Sequence, residues 1–460
     1  MLFPTVTFAV FFMIVLPVSW ALMRYQRAWR VWILLASYVF YAWWDWRFVF
    51  LLFASTIVNH VLAVAIHRSH GVGARKAFLA LAIAFDLGLL GYFKYTNFFL
   101  STADNVAGTS WLAHVVLPVG ISFYTFMAIS YVVDTYRGEL VPASLARFAV
   151  FQAFFPHLVA GPIVRASELL PQLEEERDPR KVDLSRAFFL IISGLFLKVV
   201  IANHLATHIV DDVFAAPNRH SSLEVLVAVY GYAVQIFADF CGYTNIAIGI
   251  ALLLGFEFPQ NFASPYTAVS LQDFWRRWHM TLSRWLRDYL YIPLGGNRKG
   301  RLLTYRNLML TMLLGGLWHG AAWTFVVWGG IHGVGLSIER ATGWRPTSEA
   351  AKWFGRIVTF HVVCFAWIFF RADSFGRAGD VLARLFTAWG QSSPLVTTSV
   401  VLAILVGILG QYIRPGAVGA ALRGFQRLPV PAQATSFAVA LTLINTLGPE
   451  GVAPFIYFRF

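Results

Sequence analysis

The 460-residue chain is 58% hydrophobic and only 13% charged, with a mean hydropathy of +0.63, where soluble domains carry about 45–50% apolar and about 25% charged residues. That balance excludes a string of soluble domains and implies a single all-α, polytopic membrane domain over residues 1–460. The net charge of +13 is spread in short clusters between apolar runs, as at Arg24, Arg27 and Arg30, the pattern of cytosolic membrane loops near lipid headgroups, so no nucleic acid is needed to explain it.

A crossing helix needs about 20 mostly apolar residues. Residues 2–23 have no basic leader and no clear cleavage site, and read as a retained span. Further spans are expected at 47–66, 77–99, 112–133, 187–209, 303–318, 321–338, 353–370, 396–413 and 432–447, with broken runs at 31–44, 148–163, 223–238 and 241–256. The total is about 11 spans plus re-entrant and interfacial segments. Basic residues after the first span and at Arg68, Arg75 and Lys76 place the N-terminus outside and Arg137 inside.

Phe148 to Ile163 contains Pro156 and His157, and either crosses or re-enters. Crossing puts the Arg165–Arg186 loop outside and the basic stretch Arg276–Arg306 inside, and is the preferred parity. The loop itself, with Glu174, Glu175, Glu176 and Arg177, reads as a solvated connector. Asp239, a lone acid among apolar residues, caps a broken helix, pairs with a base or takes part in chemistry. Cys241 and Cys364 sit in apolar runs and read as packing residues. Their spacing fits neither a disulfide framework nor a metal site.

LQDFWRRWHMTLSRWLRD, residues 271–288, is too charged to span. At about 100° per residue Trp275, His279, Leu282 and Leu286 share one face, with Trp278 beside them and Arg276, Arg277, Arg284 and Arg287 opposite, which predicts one amphipathic interfacial helix. His279 in the buried stripe is either a core histidine bonded to a carbonyl or a polar group facing an internal channel. In LLGGLWHGAAWTF, residues 313–325, His319 lies among Gly315, Gly316 and Gly320 in an apolar stretch. An ionisable group at membrane depth marks a functional pathway by default, small neighbours admit a backbone or a slender ligand, and an imidazole can act as a general base; helix packing is the alternative. His332 would point about 220° away from His319 on a continuous helix and reads as structural. His60, His67, His70, His114, His204, His208, His220 and His361 carry no supporting pattern. No HExxH, phosphate-loop, nucleotide or GxSxG motif is present.

Taken together, SYVFYAWW (37–44), GYFKYTNF (91–98), LPVGISFYTF (117–126), FFPHLVAGPIVR (154–165), FADFCGYTNIAIGIALLLGF (237–256), DFWRRWHMTLSRWLRDYLYIPLGGNRKG (273–300), TMLLGGLWHGAAWTFVVWGGIHG (311–333) and WIFFRA (367–372) resemble the membrane-bound O-acyltransferases, in particular the alginate O-acetyltransferase branch. The resemblance is strongest over 31–372, and residues 373–460, ending in APFIYFRF, are less distinctive. It implies helices around a central tunnel in the inner (cytoplasmic) membrane. It also makes His319, in LWHG, the main catalytic histidine, as general base or stabiliser of the tetrahedral intermediate. His279, in WRRWH, would then position or polarise the acyl group.

The implied donor is acetyl-CoA or another cytosolic acyl thioester, with no bound cofactor and no metal. The implied acceptor is an exported polysaccharide, reached through extracytoplasmic acetyltransferase partners. Arg276, Arg277 and Trp278 are expected on the donor side, where the arginines would meet CoA phosphates or lipid headgroups. D-alanyl transfer to teichoic acid, a proton-relaying transporter and a non-enzymatic scaffold are the competing readings.

Overall fold

The computed structural model describes residues 1–107 and 115–449. The start of the expected 112–133 span, His114 and the terminal APFIYFRF lie outside the described residues. Among the described residues all regular structure is helical. Among the described residues six helices are long and apolar enough to cross a membrane, or seven if the bent pair Thr398–Tyr412 and Gly416–Gln426 forms one span. Other expected spans form shorter or more polar helices. Val6–Leu22 has 17 residues, about 26 Å of helix against about 30 Å of hydrocarbon, and Arg301–His319 begins on a charge. Packing divides the chain into two compact units, Met1–Ala187 with Ala247–Pro259, and Phe188–Ile246 with Gln260–Phe460.

In the first unit α1 (Val6–Leu22) and α2 (Gln26–Ala42) pair, and α3 (Arg47–Arg68), α4 (Val72–Ala103) and α5 (Ile121–Arg137) pack together. Residues 121–132 of α5 are all buried. The exposed Trp43, Trp44 and Trp46 mark the turn between α2 and α3, as expected of indoles at a membrane surface. Polar groups inside this unit meet one another: Asn59 donates to Asp86 at 2.8 Å, and Gln152 donates to the Tyr124 carbonyl at 3.2 Å. These bonds offset part of the desolvation of the groups involved.

The 148–163 segment does not cross. Helix α6 (Leu145–Ala153) ends at Phe154, Phe155–Leu158 makes one turn, and the chain returns to Arg165. At the tip, Pro156 breaks the helix while Phe155 N–H donates to Ser37 Oγ at 3.2 Å and His157 Nε2 meets the Phe151 carbonyl at 2.8 Å. A side chain at Gly161 would collide with the Pro156 carbonyl and with His157 Cα. Entry and exit are tied together: Arg147 pairs with Glu174, and Arg30 and Gln26 donate to the Leu173 and Glu174 carbonyls at 3.1 and 3.2 Å. The Arg165–Arg186 loop therefore lies on the same side as Arg24–Arg30, which corrects the preferred parity. Re-entrant backbone satisfies the charge rule without a crossing because its polar groups are bonded inside protein. Nor is the loop a free connector, since the Arg177 guanidinium lies 3.7 Å from the Trp29 ring and 4.2 Å from Phe256.

In the second unit α7 (Leu184–Ala215) crosses α8 (Ser222–Leu253) where Gly194 and Gly242 leave no room for a β-carbon. Beside this crossing Lys198 pairs with Asp239, each side chain only 3% exposed. Helix α8 runs unbroken through Asp239, so of the roles open to that acid the structure selects pairing with a base. The arginine-bearing segment comprises α9 (Leu271–Arg277) and α10 (Met280–Leu286), followed by α11 (Arg301–His319), α12 (Trp323–Thr342) and α13 (Glu349–Arg371). The glycines around His319 admit a backbone: β-carbons at Gly316 and Gly329 would strike the Phe325 and Met312 carbonyls, so α11 and α12 pack in direct contact.

Candidate active site

His279 lies between two helices. Ser270 caps α9, accepting from Asp273 N–H at 3.1 Å. The helix stops at Trp278, which is extended, and His279 takes a left-handed conformation with φ 41° and ψ 55° before α10 begins. The expected continuous helix over 271–288 is thus broken at its centre. The cause is remote in sequence: Asn261 accepts Met280 N–H on its carbonyl at 2.9 Å and Thr281 N–H on Oδ1 at 3.2 Å. Asn261 therefore caps α10, a task the histidine at that helix's N-cap does not perform. A left-handed residue bearing a β-carbon costs about 1–2 kcal/mol, and such strain concentrates at functional sites.

The same asparagine determines which His279 nitrogen carries the proton. Thr281 N–H can only donate, so the Asn261 atom facing it is the oxygen. His279 Nδ1 lies 3.1 Å from that oxygen and must therefore carry the hydrogen. Nε2 is left with a bare lone pair, buried and without a hydrogen-bond partner among the described residues. The ring is fully buried, edge-on to Phe240 with centroids 4.6 Å apart. Burial pushes its pKa down to about 3, so the imidazole is neutral.

His319 is the last residue of α11 and 4% exposed, its ring 5.0 Å from Trp328 and 5.4 Å from Phe370. The Trp318 indole lies 6.2 Å from the His279 ring and 5.0 Å from that of His319. The two histidines singled out by sequence thus flank one tryptophan. A third imidazole joins them. His332 is buried, accepts from Trp275 Nε1 at 3.3 Å and lies 4.9 Å from Trp328, the ring that also contacts His319. Sequence reasoning set His332 apart by assuming one helix from 319 to 332, whereas the chain turns between α11 and α12.

A cleft of about 460 Å³ lies beside this cluster, with none of the three imidazoles in its wall, which includes Trp275, the donor to His332, and Met280, which follows His279. A neighbouring cleft of about 680 Å³ shares Gln272, Arg287, Tyr291, Leu308 and Leu336 with it and adds Arg301, Arg340 and Arg345. Of the three residues expected on the donor side, Arg276 lines the smaller cleft. Arg277 bonds Asp273 at 2.8 Å, and Trp278 is 1% exposed, packed against Phe262 and Trp367. Arg301, Arg340 and Arg345 come from two helices and a loop, so no single-helix pattern announces them. Asn261 had no signal beyond being one of two adjacent amides in a short extended link after Pro259. No group of acidic, histidine or cysteine side chains able to hold a metal occurs among the described residues.

This many-helix membrane fold with its cluster of buried histidines has clear relatives. The profile of the membrane-bound O-acyltransferase family matches residues 6–375. The chain is 39% identical to "Probable alginate O-acetylase AlgI" of Azotobacter vinelandii over 93% of this chain and 94% of the relative. It is 39% identical to "Peptidoglycan O-acetyltransferase" of Helicobacter pylori over 77% and 73%, and 28% identical to "Teichoic acid D-alanyltransferase" of Bacillus subtilis over 56% and 69%. The chain belongs to the membrane-bound O-acyltransferase family and is a multi-pass membrane O-acyltransferase.

Proposed function

We propose that the chain moves an acetyl group from a cytosolic thioester, acetyl-CoA being the simplest, through the membrane for O-acetylation of an exported cell-surface polysaccharide, with extracytoplasmic partners completing delivery. The observation that carries this reading is the pair of adjoining clefts, the larger edged by arginines and the smaller walled by Trp275 and Met280, the neighbours of His332 and His279. Arginine suits the phosphates of a CoA-type donor, and the smaller, less polar cleft suits its thioester arm. The basic stretch that supplies Arg287 and Arg301 belongs on the cytosolic side by the positive-inside rule.

In the transfer the acceptor oxygen attacks the thioester carbonyl carbon, His319 takes the hydroxyl proton, and the carbon–sulfur bond breaks to release a thiolate that recovers that proton. His279 orients the substrate. A site shielded from water favours transfer over hydrolysis. The relatives' names, an alginate O-acetylase and a peptidoglycan O-acetyltransferase, support acetyl and a surface polymer. The test is His319→Ala: polysaccharide acetylation is lost while the protein still inserts and purifies at normal yield. Unchanged acetylation overturns the proposal. Label transferred from a D-alanyl thioester, with none from acetyl-CoA, replaces it with aminoacyl transfer.

A further inference from the structure

We infer that Asn261 is a positioning residue of the transfer reaction, which locks His279 in the Nδ1–H tautomer so that Nε2 meets the substrate only as a hydrogen-bond acceptor. The inference rests on the reading of His279 as a site residue, and it sharpens that role. A neutral imidazole with a bare Nε2 cannot polarise a carbonyl oxygen; it can hold or take a proton from an O–H or N–H of the substrate.

Three observations carry it. Asn261 Oδ1 faces a backbone N–H, at Thr281, so its identity as an acceptor is fixed, and Thr281 Oγ1 lies a further 2.9 Å from it. His279 is held in a left-handed conformation that points its Nδ1 at that oxygen instead of along a helix face. Finally, Nε2 is fully buried with no partner among the described residues, and the next residue, Met280, lines the smaller cleft, the nearest space from which a substrate group could supply one.

The decisive experiment reads the tautomer directly. In full-length protein in nanodiscs with ¹⁵N-labelled histidine, the resonances lost in His279→Gln identify His279. They should show a protonated Nδ1 and an unprotonated Nε2 at neutral pH. A protonated Nε2 overturns the inference whether or not the protein transfers acetyl, whereas loss of the acetyl-transfer reading would leave this spectrum unchanged.

Activity supplies the second arm. Asn261→Leu should lower turnover at least about 100-fold, the scale of losing an orienting partner of an acid–base group. Asn261→Asp keeps an acceptor for both Nδ1–H and Thr281 N–H and should restore most of it. Because a carboxylate favours imidazolium, the acid limb of its rate profile should move to higher pH. Asn261→Asp as inactive as Asn261→Leu, with both retaining the wild-type unfolding midpoint, also overturns it. A raised KM for the thioester alone assigns the bonded proton to the donor, and one for the alcohol alone assigns it to the acceptor; either supports an accepting Nε2.

Discussion

Replacing His279 by glycine and, in parallel, by alanine separates the backbone at this position from its side chain. Both variants lose the same buried ring with its Phe240 contact and its bond to Asn261, so each falls below wild type by about 2–4 kcal/mol on the scale of large-to-small core replacements. They differ in how they bear φ 41° and ψ 55°. Alanine meets a left-handed penalty of about 1–2 kcal/mol and glycine next to none. Glycine's freer unfolded chain takes back about 0.4–1 kcal/mol. Glycine should therefore be the more stable of the two by about 0.5–1 kcal/mol, whereas at an ordinary helical site alanine leads by about 1 kcal/mol. Reversible unfolding in mixed micelles, by titration with a denaturing detergent, reads the difference. Alanine ahead of glycine would refute the claim that this residue is held under strain. Both variants should be inactive, which separates stability from activity at this position.

Removing one partner of the Lys198–Asp239 pair leaves a buried charge uncompensated: Lys198→Met and Asp239→Leu should each cost about 3–5 kcal/mol, and the double variant much less than their sum. Additive losses in the same unfolding assay would mean the pair is not coupled. Arg301→Ala, Arg340→Ala and Arg345→Ala should each raise the KM for acetyl-CoA about 3–10-fold with turnover little changed, since they meet the donor far from the reacting bond; an effect on turnover alone would remove the arginines from donor binding. His279 also predicts an acid limb of stability. Its folded pKa is depressed to about 3 against about 6.5 when unfolded, so the unfolded chain binds the extra proton between these values. Stability is full above about pH 6.5 and falls as the pH drops toward 3. His279→Gln should flatten that limb, as measured by unfolding midpoints at pH 7.5 and pH 5.

How much of the site was legible depended on how local each feature is. Trp278 and His279 were placed in the interior from their spacing alone, and both are buried. The conformation that buries them was not visible, because Asn261, 18 positions away, takes over the start of α10. The angle of about 220° between His332 and His319 holds only while one helix continues, and the turn after His319 ends it. For 148–163 composition left crossing and re-entry open. Ser37, 118 positions from the Phe155 amide it binds, decided between them.

By itself the sequence determined that this is a helical membrane protein, that its few polar groups at depth are informative, and that His279 and His319 belong to blocks shared with an acyltransferase family. Those conclusions follow from composition, from helical period and from motif, all carried by residues close together in the chain. Only the tertiary structure decided that the Pro156 segment turns back, that His279 is left-handed with its Nε2 lone pair bare, and that the Trp318 ring comes within 6.2 Å of the His279 ring. Each of these rests on a contact between distant segments, and a hydrogen bond from a remote side chain can override a local helical preference worth only about 1 kcal/mol per residue.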